Sequence, residues 1–210
     1  MVSKSAHSPP RAATRRRALS AFAALGTLLL PLRPWAAVRA TPPLAEGPFY
    51  PERFSAQPRP NLVLGAIEPE ALLRLAGSVT GADGRPAAGA RVEIWQCDPD
   101  GHYHHSRDSR PEQRDPRFAG HGWMLADGEG RYAFDTIRPV PYAGRTPHIH
   151  VAVHHNGRRA LVTQVFVEGD PGNAGDMLYR WLPPEARSRL TLRLERAQRG
   201  LAGRFDIVLG

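Results

Sequence analysis

The sequence contains a single cysteine, Cys97, so no intramolecular disulfide can form, and stability has to come from an apolar core and any bound metal. Cys97 sits between Gln96 and Asp98 without the local signature of a catalytic nucleophile, which leaves it as a small, half-buried residue at a strand end. The 210 residues contain no internal repeat and no heptad pattern, excluding solenoids and coiled coils. Acidic residues are missing from positions 1–40, where Lys4, Arg11, Arg15, Arg16, Arg17, Arg33 and Arg39 carry most of the formal charge of +8. Beyond Arg39 the chain is near neutral and lacks a basic run interleaved with aromatics, which argues against a nucleic-acid partner. Long apolar runs are confined to the N-terminus, and one ordinary globular domain is expected over residues 41–210.

The N-terminal composition has its own reading. A basic stretch ending in Thr14-Arg15-Arg16-Arg17 precedes an apolar segment, Ala18 to Leu30, too short to span a bilayer comfortably, and small residues follow up to Val38-Arg39-Ala40. This is the layout of a signal peptide over residues 1–40, and the adjacent arginines resemble a twin-arginine export signal, although Ala18 stands where a bulky residue is usual. The expectation is a periplasmic or extracellular protein, cleaved near Ala40 and without stable membrane association afterwards. A short membrane anchor and a Sec-type signal share the layout.

Residues 41–70 are rich in proline and carry no strong periodicity, which predicts an extended N-terminal arm or a loop wrapping the domain. Strands are predicted at Leu72 to Val79, Ala90 to Gln96, Arg131 to Phe134 and Arg204 to Leu209, separated by Gly- and Pro-containing turns. The clearest hairpin joins His148 to His155 with Arg158 to Val167 through Asn156-Gly157, a pair suited to positive φ. The one helix candidate is short, near Pro184 to Arg189. Many short strands between turns predict an all-β chain folded as an antiparallel β-sandwich.

Chemistry concentrates before and within that hairpin. In a strand, His148 and His150 share one face while Ile149, Val151 and Val153 share the other, so two imidazoles can converge on a point above an apolar face. Such a pair suits a metal, and equally suits two hydrogen-bonded surface histidines. Tyr142 lies in the Pro-rich loop Arg138 to Arg145, and Tyr103 lies in Gly101-His102-Tyr103-His104-His105 after a strand. A phenol has a pKa of about 10, and a trivalent hard cation lowers it enough for phenolate to be the bound form. Two phenolates with two imidazoles therefore suit one ferric ion, Fe(3+), better than zinc or copper. Most of His102, His104, His105, His121, His154 and His155 are read as solvated or structural, with contact to the substrate or to the surroundings of the metal left open for His104 and His105, and Trp123 and Tyr132 are read as core or pocket wall.

Several separate segments, in order and spacing, resemble the intradiol ring-cleavage dioxygenases, in particular the iron-binding subunit of the protocatechuate-type enzymes and exported single-chain relatives. They are Glu46-Gly47-Pro48-Phe49-Tyr50, Trp95 to Tyr103, Pro141-Tyr142, Arg145-Thr146-Pro147-His148-Ile149-His150 and Thr163-Gln164-Val165-Phe166. The resemblance implies a transthyretin/prealbumin-like sandwich and a ferric site with Tyr103 and His148 equatorial and Tyr142 and His150 axial. It further implies that Arg145 stabilises negative charge, that Gln164 lies near the oxygen pocket, and that Tyr142 is displaced as the substrate gives up its protons. The implied partners are a small aromatic diol and O2, cleaved to a muconate-type diacid. Which diol is left open, because the Tyr142 to Arg145 interval is shorter than in protocatechuate-type enzymes; a homo-oligomer is compatible with the sequence. Two other classes stay in play: a secreted transthyretin-like binding module without catalysis, and a zinc or copper protein using only His148 and His150.

Overall fold

The computed structural model describes residues 1–2 and 39–210; the leader expected over residues 1–40 lies, for residues 3–38, outside the described residues. Ten strands and two short α-helices make up the described chain, so it is all-β with little helix. In chain order the strands are β1 (Leu72–Gly81), β2 (Arg91–Trp95), β3 (His121–Leu125), β4 (Arg131–Ile137), β5 (His148–His155), β6 (Arg158–Val167), β7 (Thr191–Leu192), β8 (Leu194–Arg196), β9 (Leu201–Arg204) and β10 (Ile207–Leu209). Helices α1 (Met177–Trp181) and α2 (Pro184–Arg189) lie between β6 and β7.

The strands form two five-stranded sheets. One has the order β3-β2-β5-β6-β7; the other has β1 flanked by β4 on one edge and by β9 and β10 on the other, with β8 outside β9. Alternation places Ile149, Val151 and Val153 of β5 on the same side as Val92 and Ile94 of β2 and Val165 of β6. All of them are fully buried in one cluster with Leu73, Leu75 and Phe134 of the other sheet, so the two sheets share a core. Burial on that scale, at roughly 25 cal/mol per Å² of apolar surface, is the main force holding the sheets together.

Several expectations change. Pairing is mixed rather than purely antiparallel: β9 and β10 run parallel to β1, and β7 runs parallel to β6. Parallel neighbours need a crossover, and the segment carrying α1 and α2 supplies one between β6 and β7. The single C-terminal strand expected from Arg204 divides into β9 and β10 because the chain presses Phe205 against Gly77 of β1. A Cβ on Gly77 would lie 1.8 Å from the Phe205 carbonyl oxygen, which accepts instead from the Tyr132 hydroxyl at 2.6 Å. A second helix, α1, was not foreseen; Asp176 caps it, accepting from the Tyr179 N–H at 2.9 Å.

The hairpin forms as expected, with Asn156 at φ 51° and Gly157 at φ 73°. Cys97 is fully rather than half buried, its thiol 3.6 Å from the Val140 carbonyl, and burial pushes its pKa up to about 12. Ahead of β1, the chain runs along the β6 edge of the β5 sheet and then across its outer face before Leu62 enters the core. Leu44 N–H donates to Val162 O at 2.9 Å, Thr163 Oγ1 to Pro42 O at 2.8 Å, and Trp123 Nε1 to Ser55 O at 2.9 Å.

Candidate metal centre

Strand register builds the site. On β5, His148 stands opposite Phe166 of β6, and His150 stands opposite Gln164 of β6 and Trp95 of β2. Both histidines are 1% exposed although they point away from the main core. His150 is covered by Trp95, whose ring stacks on it at 4.8 Å and 9°, and by Gly47, where an added Cβ would stand 3.1 Å from its Cε1. Gly47 has φ +77°, so this approach of backbone to imidazole needs glycine both for conformation and for space.

The tautomer of His148 follows from its neighbour. Its Nδ1 lies 2.6 Å from the Thr146 carbonyl, which can only accept, so Nδ1 carries the proton and Nε2 keeps its lone pair. That Nε2 lies 3.2 Å from Nε2 of His150. Burial pushes the His148 pKa down to about 4, with the Arg145 charge acting in the same sense. Burial, then the neighbouring His148 and Arg145, take His150 well below the ordinary range. The His150 Nε2 faces the His148 lone pair either as an N–H donor or with a lone pair of its own, and a cation held between the rings would take both lone pairs.

Two loops bring in the phenols. The Tyr103 loop is held by carboxylates: Asp98 accepts from the N–H groups of Asp100 and His102 at 3.0 and 2.9 Å, and Asp108 accepts from the Tyr103 N–H at 2.8 Å. Tyr142 begins a tight turn closed by the Arg145 N–H to the Tyr142 carbonyl at 2.7 Å, with Ala143 at φ 41° and Gly144 at φ 77°. Ala143 and Asn156 are the two non-glycine residues of positive φ among the described residues; strain of that kind costs on the order of 1 kcal/mol and here sits beside the site. Gly101 packs against this turn, where an added Cβ would stand 3.3 Å from the Pro141 carbonyl oxygen.

The four rings close a circuit. Centroid distances are 4.9 Å from Tyr103 to Tyr142, 5.5 Å from Tyr142 to His148, 4.8 Å from His148 to His150 and 6.1 Å from His150 to Tyr103. The Tyr103 hydroxyl and Nδ1 of His150 are buried without a hydrogen-bond partner. Burial raises the Tyr103 pKa well above that of a free phenol; it also raises Tyr142, against opposition from the Tyr103 hydroxyl and the Arg145 charge. A buried orphan hydroxyl costs about 1–3 kcal/mol, so this cluster is polar in excess of its protein partners. The donor set fits a cation with affinity for oxygen and nitrogen. Among the described residues no three His, Cys, Asp or Glu side chains converge on a metal-binding point, so a four-donor site here needs the tyrosines.

Arg145 and Gln164 join the same cluster. Arg145 donates from Nη2 to Gln164 Oε1 at 2.7 Å and from Nε to Asp176 Oδ2 at 2.7 Å, while Gln164 Nε2 donates to the Ala45 carbonyl at 2.8 Å. Phe49 stacks on Tyr103 at 4.6 Å, and Tyr50 donates to the buried Glu93 at 2.8 Å, tying residues 45–50 over the rings. A cavity of about 350 Å³ opens beside Pro141, Gly144, Arg145, Pro147 and Gly172. It reaches the cluster at Arg145 without touching the four rings, and the clefts of about 540 and 650 Å³ elsewhere reach neither.

Residues 45–210 match the family model described as Dioxygenase. The protocatechuate 3,4-dioxygenase beta chain of Burkholderia cepacia is 39% identical over 146 residues, 63% of this chain and 62% of that one. The chain belongs to the intradiol ring-cleavage dioxygenase family. Another family relative, the hydroxyquinol 1,2-dioxygenase of Corynebacterium glutamicum, is 34% identical over 143 residues, 60% of this chain and 45% of that one. The chain thus spans about half to two thirds of the length of these curated relatives. Among solved structures, the dioxygenase domain of a dioxygenase and carbohydrate-binding fusion from Streptomyces sp. SirexAA-E has a TM-score of 0.67 at 32% identity. It covers 81% of this chain and 98% of that one.

In this member of the intradiol family, the residues singled out in the sequence, Tyr103, Tyr142, Arg145, His148, His150 and Gln164, all fall in one cluster. Trp95, Gly47 and Phe49 lie within segments that carried the resemblance, but their stacking on the site depends on contacts across the fold. Asp176 was not foreseen, and the only local signal for it is an acidic residue at a helix start. Of the surrounding histidines, His102 and His105 are buried rather than solvated. His102 faces Asp108 at 3.3 Å, and His105 accepts from the Arg107 N–H at 3.0 Å.

Proposed function

We propose that this chain is an exported, ferric-iron-dependent intradiol dioxygenase that cleaves a catechol-type ring between its two hydroxylated carbons, on a transthyretin-like sandwich. The observation that carries the reading is the closed circuit of two phenols and two neutral imidazoles, in which the Nε2 atoms of His148 and His150 face each other at 3.2 Å and the Tyr103 hydroxyl is buried without a partner. Tyr103, Tyr142, His148 and His150 would hold the metal. Ferric iron, when bound, would supply a Lewis acid that activates the diol towards dioxygen.

The chain's own residues then have separate tasks. The histidines enter as neutral ligands because burial keeps them unprotonated across the physiological range. Tyr103, buried under Phe49 and held by a loop with fixed backbone, is the permanent phenol. Tyr142, partly exposed on a strained turn, is the phenol able to swing away and take a proton from the incoming diol. Arg145 stays charged and is oriented to stabilise negative charge developing on the ring or on oxygen. The layer formed by Phe49, Trp95 and Gly47 excludes water from the imidazoles.

The activities named for the relatives, on protocatechuate and hydroxyquinol, support a catechol-type substrate for this chain. Oxygen-electrode assays over catechol, protocatechuate, hydroxyquinol and chlorinated catechols test the reading. Uptake of one O2 per diol with a ring-opened diacid as product is expected; no uptake by iron-loaded protein with any of these diols sinks it. Export through the leader over residues 1–40 is tested separately by fractionating cells that carry Arg15 and Arg16 or lysines in their place. Retention of the lysine form inside the cell is expected, and unchanged export would point to another route.

A further inference from the structure

Asp176 lies outside every segment that carried the family resemblance, and its side chain is completely buried beside the guanidinium of Arg145. One carboxylate serves three donors from two parts of the chain. Oδ2 accepts from Arg145 Nε at 2.7 Å and from the Thr146 N–H at 3.0 Å, and Oδ1 accepts from the Tyr179 N–H at 2.9 Å. Thr146 is also the residue whose carbonyl orients His148, and its hydroxyl donates to Asn173 at 2.8 Å. We propose that Asp176 is the positioning residue of this site: its carboxylate fixes the Arg145 guanidinium at Nε while Gln164 fixes it at Nη2, which leaves Nη1 for the substrate.

The physical case is one of geometry and charge. A guanidinium presents its donors in a rigid plane, so two fixed hydrogen bonds on different nitrogens set both its position and its tilt. Nη1 of Arg145 makes no hydrogen bond with the described residues. An ion pair this buried contributes little net stability, because desolvation of both charges offsets their attraction, and it is better understood as a device for orientation. Asp176 also begins α1, so the crossover from β6 to β7 is what delivers it to the site.

The inference rests on the ring-cleavage reading, and its test keeps the two apart. In Asp176→Asn, the side-chain oxygen can still cap α1, but an amide then faces the donors of Arg145 and Thr146. Iron content, visible spectrum, kcat and KM are measured for wild type, Asp176→Asn, Arg145→Met and the double variant. Asp176→Asn is expected to keep iron and colour and to lose about 10- to 100-fold in kcat with a smaller change in KM. In the Arg145→Met background the same substitution should change kcat less than about 2-fold, because the residue it positions is already gone. Wild-type kcat in Asp176→Asn, or an equal loss in both backgrounds, overturns the proposal, since the second result marks a purely structural role. A wild type without turnover sinks the ring-cleavage reading instead. The positioning claim is then decided without turnover, by ¹⁵N spectra of protein loaded with diamagnetic gallium(III). A slowly exchanging Arg145 Nε–H that becomes fast in Asp176→Asn supports it, and an unchanged or unprotected Nε–H refutes it.

Discussion

Tyr103 has a hydroxyl buried without a partner, on a ring packed against Phe49. Tyr103→Phe therefore separates binding from folding. Metal-free protein should be as stable as wild type or more so, by up to about 1 kcal/mol, since an orphan polar group is removed without opening a cavity. Iron affinity should fall at least about 10-fold; denaturation curves and metal titrations read both, and intact affinity would remove Tyr103 from the ligand set. The histidines give a pH signature in the metal-free state. Their folded pKa values lie below the unfolded one, so the unfolded chain binds more protons as pH drops below about 6.5. Stability conferred by neutral His148 is present above its unfolded pKa and is lost progressively as pH falls towards its folded value of about 4. Denaturant titrations between those pH values should show a steady decline that His148→Gln reduces; a flat profile would contradict the burial argument. At this scale the ligand candidates were legible because residue type, strand alternation and Pro-fixed loops act locally. Asp176 was illegible because its role depends on a carboxylate meeting an arginine 31 positions away.

At the scale of elements, alternation and turn chemistry located β1, β2, β4, β5 and β6, and Asn156-Gly157 located the hairpin turn, but a register shift between Val153 and His154, which the turn does not announce, is what places His150 opposite Gln164. The pairing of the C-terminal segment was hidden, because nothing local distinguishes a strand that lies parallel to β1 from one that lies antiparallel to it. Gly77 is the point where that pairing is decided. The Phe205 carbonyl occupies the space a side chain would need, and Gly200 likewise lies against β1, where an added Cβ would stand 2.5 Å from the Leu72 carbonyl oxygen. Gly77→Ala should destabilise the fold by about 3 kcal/mol or more, since backbone rather than a flexible side chain must yield. Chemical denaturation measures the loss, and a cost under about 1 kcal/mol would mean that β9 and β10 part from β1 easily. Short β3, with Gly122 inside it, escaped notice because its strand pattern is brief and its pairing with β2 is not local.

Considered whole, the molecule uses the segment ahead of β1 to cover the cluster of rings. Ala45 holds Gln164, Gly47 lies on His150, Phe49 covers Tyr103, and Tyr50 binds Glu93. Glu46 also pairs with Arg159 of β6. A chain beginning at Thr41 should fold and bind iron like the longer one, whereas a chain beginning at Pro51 should keep its sheets by circular dichroism and lose iron affinity by about 10-fold or more. Equal affinity in both would show that this cover is dispensable. The all-β class was legible from strand spacing and turn residues, while the shared core of the two sheets and the cover over the rings emerged only from contacts far apart in sequence. The central claim is that two tyrosines and two histidines hold ferric iron where a diol can chelate it. Its most direct test is metal analysis of purified protein with a visible-range titration against catechol under anaerobic conditions. The account predicts close to one iron per chain and a broad phenolate-to-iron band that shifts as catechol binds and disappears in Tyr103→Phe; colourless protein carrying zinc, or a band indifferent to catechol, would contradict it.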